Sequence, residues 1–249
     1  MNTHHQMPDR GLLRVGAASA ILGVVAAVVQ SAVDPSYPDD PSEAILRASQ
    51  SHFLTFSRVL DMTAFLLLLV GVSVITRVFS AGRGSAWAGV ARTLFVVSAA
   101  AGATATMVVG SLPEIARSWA EANSALKPGY VAVYDALGDV TGGVFAVSWA
   151  ALGLFGIVYA VALSRSDLFA KTLAGISAAS GVALVSAIVV GIGFQVPVAF
   201  VLLVLGLVLS YVVIVASSLK LLRMSGAPKV DASHTSNAPR SPAQPAPSV

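Results

Sequence analysis

Six long apolar stretches constrain this chain of 249 residues more than any other feature of its sequence. The hydrocarbon core of a bilayer is about 30 Å thick and is spanned by about 20 helical residues. The stretches that reach this length are residues 12–33, 53–76, 86–110, 130–163, 172–193 and 196–219. The composition agrees, because 56% of the residues are hydrophobic and only 11% are charged. We predict an all-α, polytopic transmembrane bundle of six helices, the fourth of which projects beyond the bilayer.

The two ends of the chain differ from this apolar region. Residues 1–11 are expected to form a cytoplasmic N-terminal segment, and residues 12–222 the transmembrane domain. Residues 223–249 are rich in Ser, Pro and Ala and cannot bury enough apolar surface to fold, which predicts a disordered cytoplasmic tail. The first apolar stretch is long for a secretory signal and has no convincing small-x-small cleavage site, so we expect it to be retained as a helix.

Charged residues in the connectors predict the orientation of the bundle. Every second connector is basic, with Arg10, Arg14, Arg77, Arg83, Arg165, Lys171, Lys220, Arg223 and Lys229. The others hold Arg47, Arg117 and Lys127 against Asp34, Asp39, Asp40, Glu43, Glu114 and Glu121. Basic connectors remain in the cytoplasm, so both termini are expected there, in a bacterial cytoplasmic membrane. This scattered distribution of basic residues gives no reason to expect a nucleic-acid partner.

The acidic connectors are expected to contain two short helices on the outer face. The segment DPSE at 40–43 has an N-cap acid, Pro at the first helical position and Glu at the third, which predicts a helix through Ser49. The segment SLPE at 111–114 is expected to cap a second helix in the same way. Ile115 and Trp119 share the apolar side of that helix, which is expected to lie on the membrane interface with Trp119 as an anchor.

Four charged side chains near the outer ends of the apolar stretches are the candidate ligand- or ion-binding residues: Arg58, Asp61, Asp135 and Asp139. Charges in hydrocarbon are unfavourable, so these side chains are expected to face the bundle interior or water. Counting by helical rise places Asp139 where it can meet Arg58, and Asp135 above the headgroup boundary. The four sum to a negative charge that a proton, a metal cation or a basic partner would balance. In the alternative interpretation, Arg58 pairs with one carboxylate as packing and the others are hydrated.

Small residues within the apolar stretches predict close contacts. Residues 98–106, Gly175, Ala179 and Gly181 are expected to form helix contact surfaces. Gly138, Gly142 and Gly143 would let another backbone or a ligand approach the outer end of the fourth helix.

A short internal echo links the first two helical hairpins. The segments VVQS at 28–31 and VVGS at 108–111 each end a helix, and Asp61 and Asp139 each follow near the start of the next one. If these hairpins are a duplication, their aspartates occupy corresponding positions.

Several chemistries are not expected. The chain has no cysteine, and of its four histidines only His52 lies near the bilayer, so disulfides and bis-histidine haem within the bundle are excluded. No nucleotide-binding glycine motif and no zinc-protease motif occurs. We therefore predict no cofactor, no metal site and no catalytic residue.

The aspartates suggest two enzyme hypotheses. Tyr134-Asp135 and Gly138-Asp139 are similar to fragments of the signatures of intramembrane aspartyl proteases, in which two carboxylates activate water. Ala136 replaces the first glycine of the second signature, and both fragments lie on one helix rather than two. Separately, Asp61 and Asp139 could act as a pair that protonates an isoprenoid-like substrate.

The acidic loop beginning Asp34-Pro35, the pair Arg58 and Asp61, and the stop at Arg77 resemble the uncharacterised six-helix integral membrane families of actinobacteria and other Gram-positive bacteria. The resemblance covers residues 10–222. It implies the six-helix topology and supplies no catalytic residue.

Three functions follow as hypotheses. The first is a noncatalytic accessory, sensory or immunity-type membrane component that contacts a membrane protein partner. The second is a small proton- or cation-coupled transporter that uses Asp61 and Asp139 with Arg58. The third is an intramembrane enzyme with paired aspartates. The sequence has no broken mid-membrane helix of the kind many transporters use, which favours the first hypothesis.

Overall fold

The computed structural model describes residues 9–34, 40–51, 53–79, 82–194 and 197–226. These ranges contain eight α-helices and no strand: α1 Arg10–Val33, α2 Pro41–Gln50, α3 Leu54–Arg77, α4 Ser85–Val109, α5 Leu112–Glu121, α6 Lys127–Ser164, α7 Lys171–Phe194 and α8 Pro197–Gly226. Six of them, all except α2 and α5, are long and apolar enough to cross a membrane. The predicted all-α bundle is confirmed, including the long fourth span, since α6 has 38 residues.

The six long helices form a closed ring in chain order. Each of α1, α3, α4, α6, α7 and α8 packs against the next, and α8 returns to pack against α1. Helices joined in sequence run antiparallel, so α2 and α5 lie together at one end of the ring and contact each other there. We call this the α2/α5 end. The basic connectors expected in the cytoplasm belong to the opposite end.

Glycines allow the closest contacts between neighbouring helices. A Cβ on Gly71 of α3 would overlap Ala20 of α1, and one on Gly181 of α7 would overlap the backbone of Gly153 in α6. The predicted contact role of Gly181 is therefore confirmed. The same prediction for Gly175 and Ala179 is wrong, because both are exposed on the far side of α7.

The N-terminus of α2 forms as predicted, but that of α5 does not. Asp40 caps α2 by accepting hydrogen bonds from the backbone N–H groups of Ser42 and Glu43 at 2.8 and 3.0 Å. Ser111 has helical backbone angles at the start of α5 and makes no capping bond. Its hydroxyl instead donates to the carbonyl of Val108 at 2.6 Å, because the turn after α4 continues into α5.

Helix α5 packs on protein rather than lying free on an interface. Ile115 and Trp119 pack against a small core that α2, α3, α4 and α6 build with α5, with Ile45 and Ala116 fully buried in it. The Nζ of Lys127 lies 4.5 Å from the centroid of the Trp119 ring and joins α5 to the start of α6. The expected contact between the apolar side of α5 and the membrane interface is wrong, because Trp119 packs against protein. Helices α2 and α6 supply its apolar partner.

The main core fills the half of the ring opposite to the α2/α5 end. Its aromatic centre is a chain of ring contacts through Phe155, Tyr159, Phe79 and Phe169, with centroids 5.3 to 5.8 Å apart. The hydroxyl of Tyr159 is 3.3 Å from that of Ser217 in α8, and both residues are buried. This half of the ring is therefore closed by packed side chains.

Predictions on the segments 1–8 and 227–249 and on His52 lie outside the described residues. Helix α8 extends to Gly226, four residues past the predicted end of the transmembrane domain at Leu222. The division into a cytoplasmic segment, a transmembrane domain and a disordered tail thus stays a prediction.

Candidate ligand-binding site

An ion pair between α1 and α3 lies near the α2/α5 end. The Nη2 of Arg58 donates to the Oδ1 of Asp34 at 2.7 Å, and the two side chains are 11% and 28% exposed. Ser57 donates to the same oxygen at 3.0 Å, and the side-chain amide of Gln30 donates to Oδ2 at 3.3 Å. Charge-assisted hydrogen bonds of this kind are stronger than neutral ones, so this network fixes the position of the guanidinium.

The partner of Arg58 differs from the one expected. The sequence suggested that Asp139 meets Arg58, and it placed Asp34 in an exposed loop. Asp34 is instead the C-cap of α1, and its side chain lies against α3. The spacing of four between Gln30 and Asp34 was the available signal, since it places both side chains on one helix face.

Asp61 lies on α3 one turn further into the bundle than Arg58. Its Oδ2 accepts a hydrogen bond from the hydroxyl of Thr106 on α4, with 2.5 Å between the two oxygens. No basic side chain in the described ranges lies within ion-pair distance of it, because Arg58 is paired with Asp34. Asp61 is thus a carboxylate at membrane depth that has a hydrogen-bond donor but no counter-charge.

A cavity of about 500 Å³ lies within the ring beside Asp61, and we call it the inner cavity. Five of the six long helices line it, since α7 contributes no lining residue. The polar lining residues include Gln30, Asp34, Arg58 and Asp61, and the aromatic ones are Phe65, Phe95, Phe145, Trp149, Phe200 and Tyr211. A cavity of this size is large enough for a small molecule, and an apolar wall with a few converging polar groups is typical of ligand sites.

A second cavity of about 380 Å³ lies under α2 and α5, and we call it the outer cavity. Asp135, Asp139 and Thr141 of α6 line it, together with residues of α2, α3 and α4. Asp34 and Arg58 line both cavities, so the ion pair lies at their junction.

The structure divides the four predicted site residues between these cavities. Arg58, Asp135 and Asp139 line the outer cavity, whereas Asp61 and Arg58 line the inner one. Asp61 and Asp139 therefore do not share either cavity. Asp135 and Asp139 are exposed, which agrees with the alternative in which those carboxylates are hydrated.

Two buried polar atoms at these cavities have no hydrogen-bond partner in the described part of the chain. They are the Nε of Arg58 and the hydroxyl of Thr141, whose residue is 5% exposed. Buried polar groups are nearly always hydrogen-bonded, so both atoms have donor capacity for a ligand or water. Thr141 was not predicted from the sequence, where its one signal is a position two residues after Asp139 and one turn after Leu137.

The outer glycines of α6 face open space. A Cβ on Gly138, Gly142 or Gly143 would find nothing within 4 Å, so no backbone of the described residues approaches them. Of the two partners predicted for these glycines, only the approach of a ligand stays a prediction. Within the described ranges, no group of three or more His, Cys, Asp or Glu side chains has an arrangement that could hold a metal ion.

Together the fold and the site define a class: a multi-pass α-helical membrane protein with ligand-sized cavities in one half of its bundle. No protein-family model, no curated protein and no solved structure matches the chain.

Proposed function

We propose that this protein is a noncatalytic membrane component, sensory or accessory in role, that holds a small ligand in a chamber reached from one side of the membrane. The chamber consists of the inner and outer cavities. In this account the ligand changes the packing of α2 and α5, which form the surface that a membrane protein partner contacts.

One observation carries the proposal: both cavities lie toward the α2/α5 end of the ring, and the inner one ends at Phe95 and Ile214 of the main core. The other half is filled by the core around Phe79, Tyr159 and Phe169. This distribution supports binding from one side rather than passage through the bundle.

The proposed chamber has a defined orientation in the membrane. The basic connectors belong to the end opposite to α2 and α5, so the positive-inside rule favours a chamber that faces outward and termini that lie in the cytoplasm. The resemblance to six-helix families of Gram-positive bacteria supports the bacterial cytoplasmic membrane as its location.

Single cysteines test the proposal cleanly, because the chain has no cysteine of its own. Ser98 lines the inner cavity and Ser217 lies in the packed core, and they are 4% and 0% exposed. We expect a small, membrane-impermeant cationic thiosulfonate reagent to modify Ser98→Cys when it is added to intact cells. Ser217→Cys, the matched control, should not react from either side.

Reaction of Ser98→Cys only in inverted vesicles would contradict the proposed orientation. Failure of Ser98→Cys to react from either side would contradict the chamber itself. Modification of Ser217→Cys from the cytoplasmic side would show that the core half opens, as a transporter requires.

A proton- or cation-coupled transporter is the second candidate, and the lack of a counter-charge at Asp61 favours it. Alternating access would have to open the core half, and a flux of cations or protons into proteoliposomes that Asp61→Asn abolishes would establish it. Paired-aspartate catalysis has less support, since Asp61 and Asp139 line different cavities.

A further inference from the structure

We infer that the inner cavity binds an amphiphilic organic monocation, whose charged group lies beside Asp61 and whose apolar part fills the aromatic end. The inference rests on the proposed function, because it names the ligand class of the chamber.

The charges of the inner cavity define the sign of the ligand. Asp34 and Arg58 neutralise each other across 2.7 Å. Among the described residues Asp61 accepts a hydrogen bond from the hydroxyl of Thr106 and has no ion-pair partner, and a hydrogen bond from a hydroxyl does not balance a charge. A carboxylate at membrane depth is expected to be protonated or to have a cation beside it, so a ligand with a single positive charge completes the site.

The walls of the cavity define the ligand as organic. Hard metal cations take six or more oxygen ligands. The inner cavity offers Asp61, the Asp34–Arg58 pair and scattered hydroxyl and amide groups within a mostly apolar wall, and no group of three or more His, Cys, Asp or Glu side chains in the described ranges could hold a metal ion. The rings of Phe145 and Trp149 are stacked with centroids 5.6 Å apart, and Phe65, Phe95 and Tyr211 line the same space. Aromatic faces attract ammonium-type cations, with most effect where water is excluded.

The route into the cavity favours an amphiphile over a small hydrophilic ammonium. Phe200 at the start of α8 lines the inner cavity and is also 70% exposed. Because α8 is one of the helices long and apolar enough to span a membrane, we infer that the cavity opens beside Phe200 toward lipid. A molecule dissolved in the bilayer can place its apolar part through this opening while its charge approaches Asp61.

The test uses two probes of nearly equal size and opposite charge, tetraphenylphosphonium and tetraphenylborate. Binding of each is measured by equilibrium dialysis against the full chain in nanodiscs, with empty nanodiscs subtracted. Asp61→Asn removes the charge and keeps an acceptor for Thr106. Asp167→Asn, at an exposed position in the connector between α6 and α7 that lines neither cavity, is the matched control, and circular dichroism checks that both variants are folded.

We expect the phosphonium to bind the wild type, and to bind Asp61→Asn about tenfold more weakly, since a charge contact of this kind contributes about 1.4 kcal/mol. Asp167→Asn should bind it as the wild type does. The borate should show no binding above empty nanodiscs.

Equal binding of both probes, or phosphonium binding that Asp61→Asn leaves unchanged, would overturn the inference. The cysteine experiment separates this failure from that of the proposed function. If Ser98→Cys reacts as expected and the phosphonium does not bind, the chamber stands and its assignment to cations is wrong. If Ser98→Cys is also unreactive, both are wrong.

Discussion

Arg58 and Asp34 are unequally buried, and this decides which of them the fold needs more. The guanidinium is 11% exposed, and Asp34 is 28% exposed and has further hydrogen bonds from Ser57 and Gln30. Removing Asp34 therefore leaves the more deeply buried charge alone, whereas removing Arg58 leaves a carboxylate that water and two donors can stabilise.

We predict that Asp34→Ala lowers the free energy of unfolding by about 2 to 3 kcal/mol and that Arg58→Met lowers it by less. Thermal unfolding in detergent micelles measures the loss of stability of each variant. The pair between Glu114 and Arg117 provides a control, because those side chains are 76% and 61% exposed and Glu114→Ala should leave the melting temperature unchanged. A larger loss for Arg58→Met than for Asp34→Ala would contradict this account.

Asp61 is expected to reduce stability rather than to support it. Its charge has no counter-charge in the described chain, and Asn at the same position still accepts the hydrogen bond from Thr106. We predict that Asp61→Asn raises the melting temperature of the ligand-free protein. Thr106→Val, which removes the hydrogen-bond donor that the described residues supply to Asp61, should lower it. A residue that weakens the fold in this way is typical of a functional site. A clear drop in melting temperature for Asp61→Asn would show that Asp61 is structural.

Helices α2 and α5 differ in the capping of their N-termini. Asp40 caps two N–H groups of α2, whereas the hydroxyl of Ser111 makes no cap for α5. We predict that Asp40→Ala increases hydrogen exchange across residues 41–50, because losing an N-cap destabilises a helix by about 1 kcal/mol. Ser111→Ala should leave exchange in α5 as it is. Equal effects in both helices would contradict the assigned caps.

The contact between α1 and α3 depends on small residues at one position. A Cβ on Gly71 would overlap Ala20, whereas one on Gly138 of α6 would find nothing within 4 Å. We predict that Gly71→Ala destabilises the protein by about 1 to 3 kcal/mol through overpacking, and that Gly138→Ala does not destabilise it. Equal melting temperatures for the two variants would mean that α1 and α3 are further apart than described.

The spans and the short helices could be predicted from sequence because their causes are local. Apolar length determined the six spans, and the DPSE segment at 40–43 determined the start of α2. The partner of Arg58 could not be predicted, because it depends on which face of α1 packs against α3. The exposure of Gly175 likewise depends on which face of a wholly apolar helix packs inward, and hydrophobic periodicity is weak in such helices.

At the scale of the whole molecule, the closed ring of six helices produces the site. Large side chains fill the ring at one end, and at the other end α2 and α5 cover it while leaving two cavities. The sequence placed Arg58, Asp61, Asp135 and Asp139 at the correct end, but not in their two separate cavities, because cavities follow from the order of helices around the ring. The duplication of the two hairpins stays a prediction. The different surroundings of Asp61 and Asp139 do not favour it.

Native mass spectrometry of the protein released gently from its own membrane, beside a folded Asp61→Asn variant, tests the central claim most directly. We predict that the wild type retains a small molecule that the variant has lost. A wild type that carries nothing except bilayer lipids, bound equally by the variant, would contradict the account of a ligand chamber at the α2/α5 end.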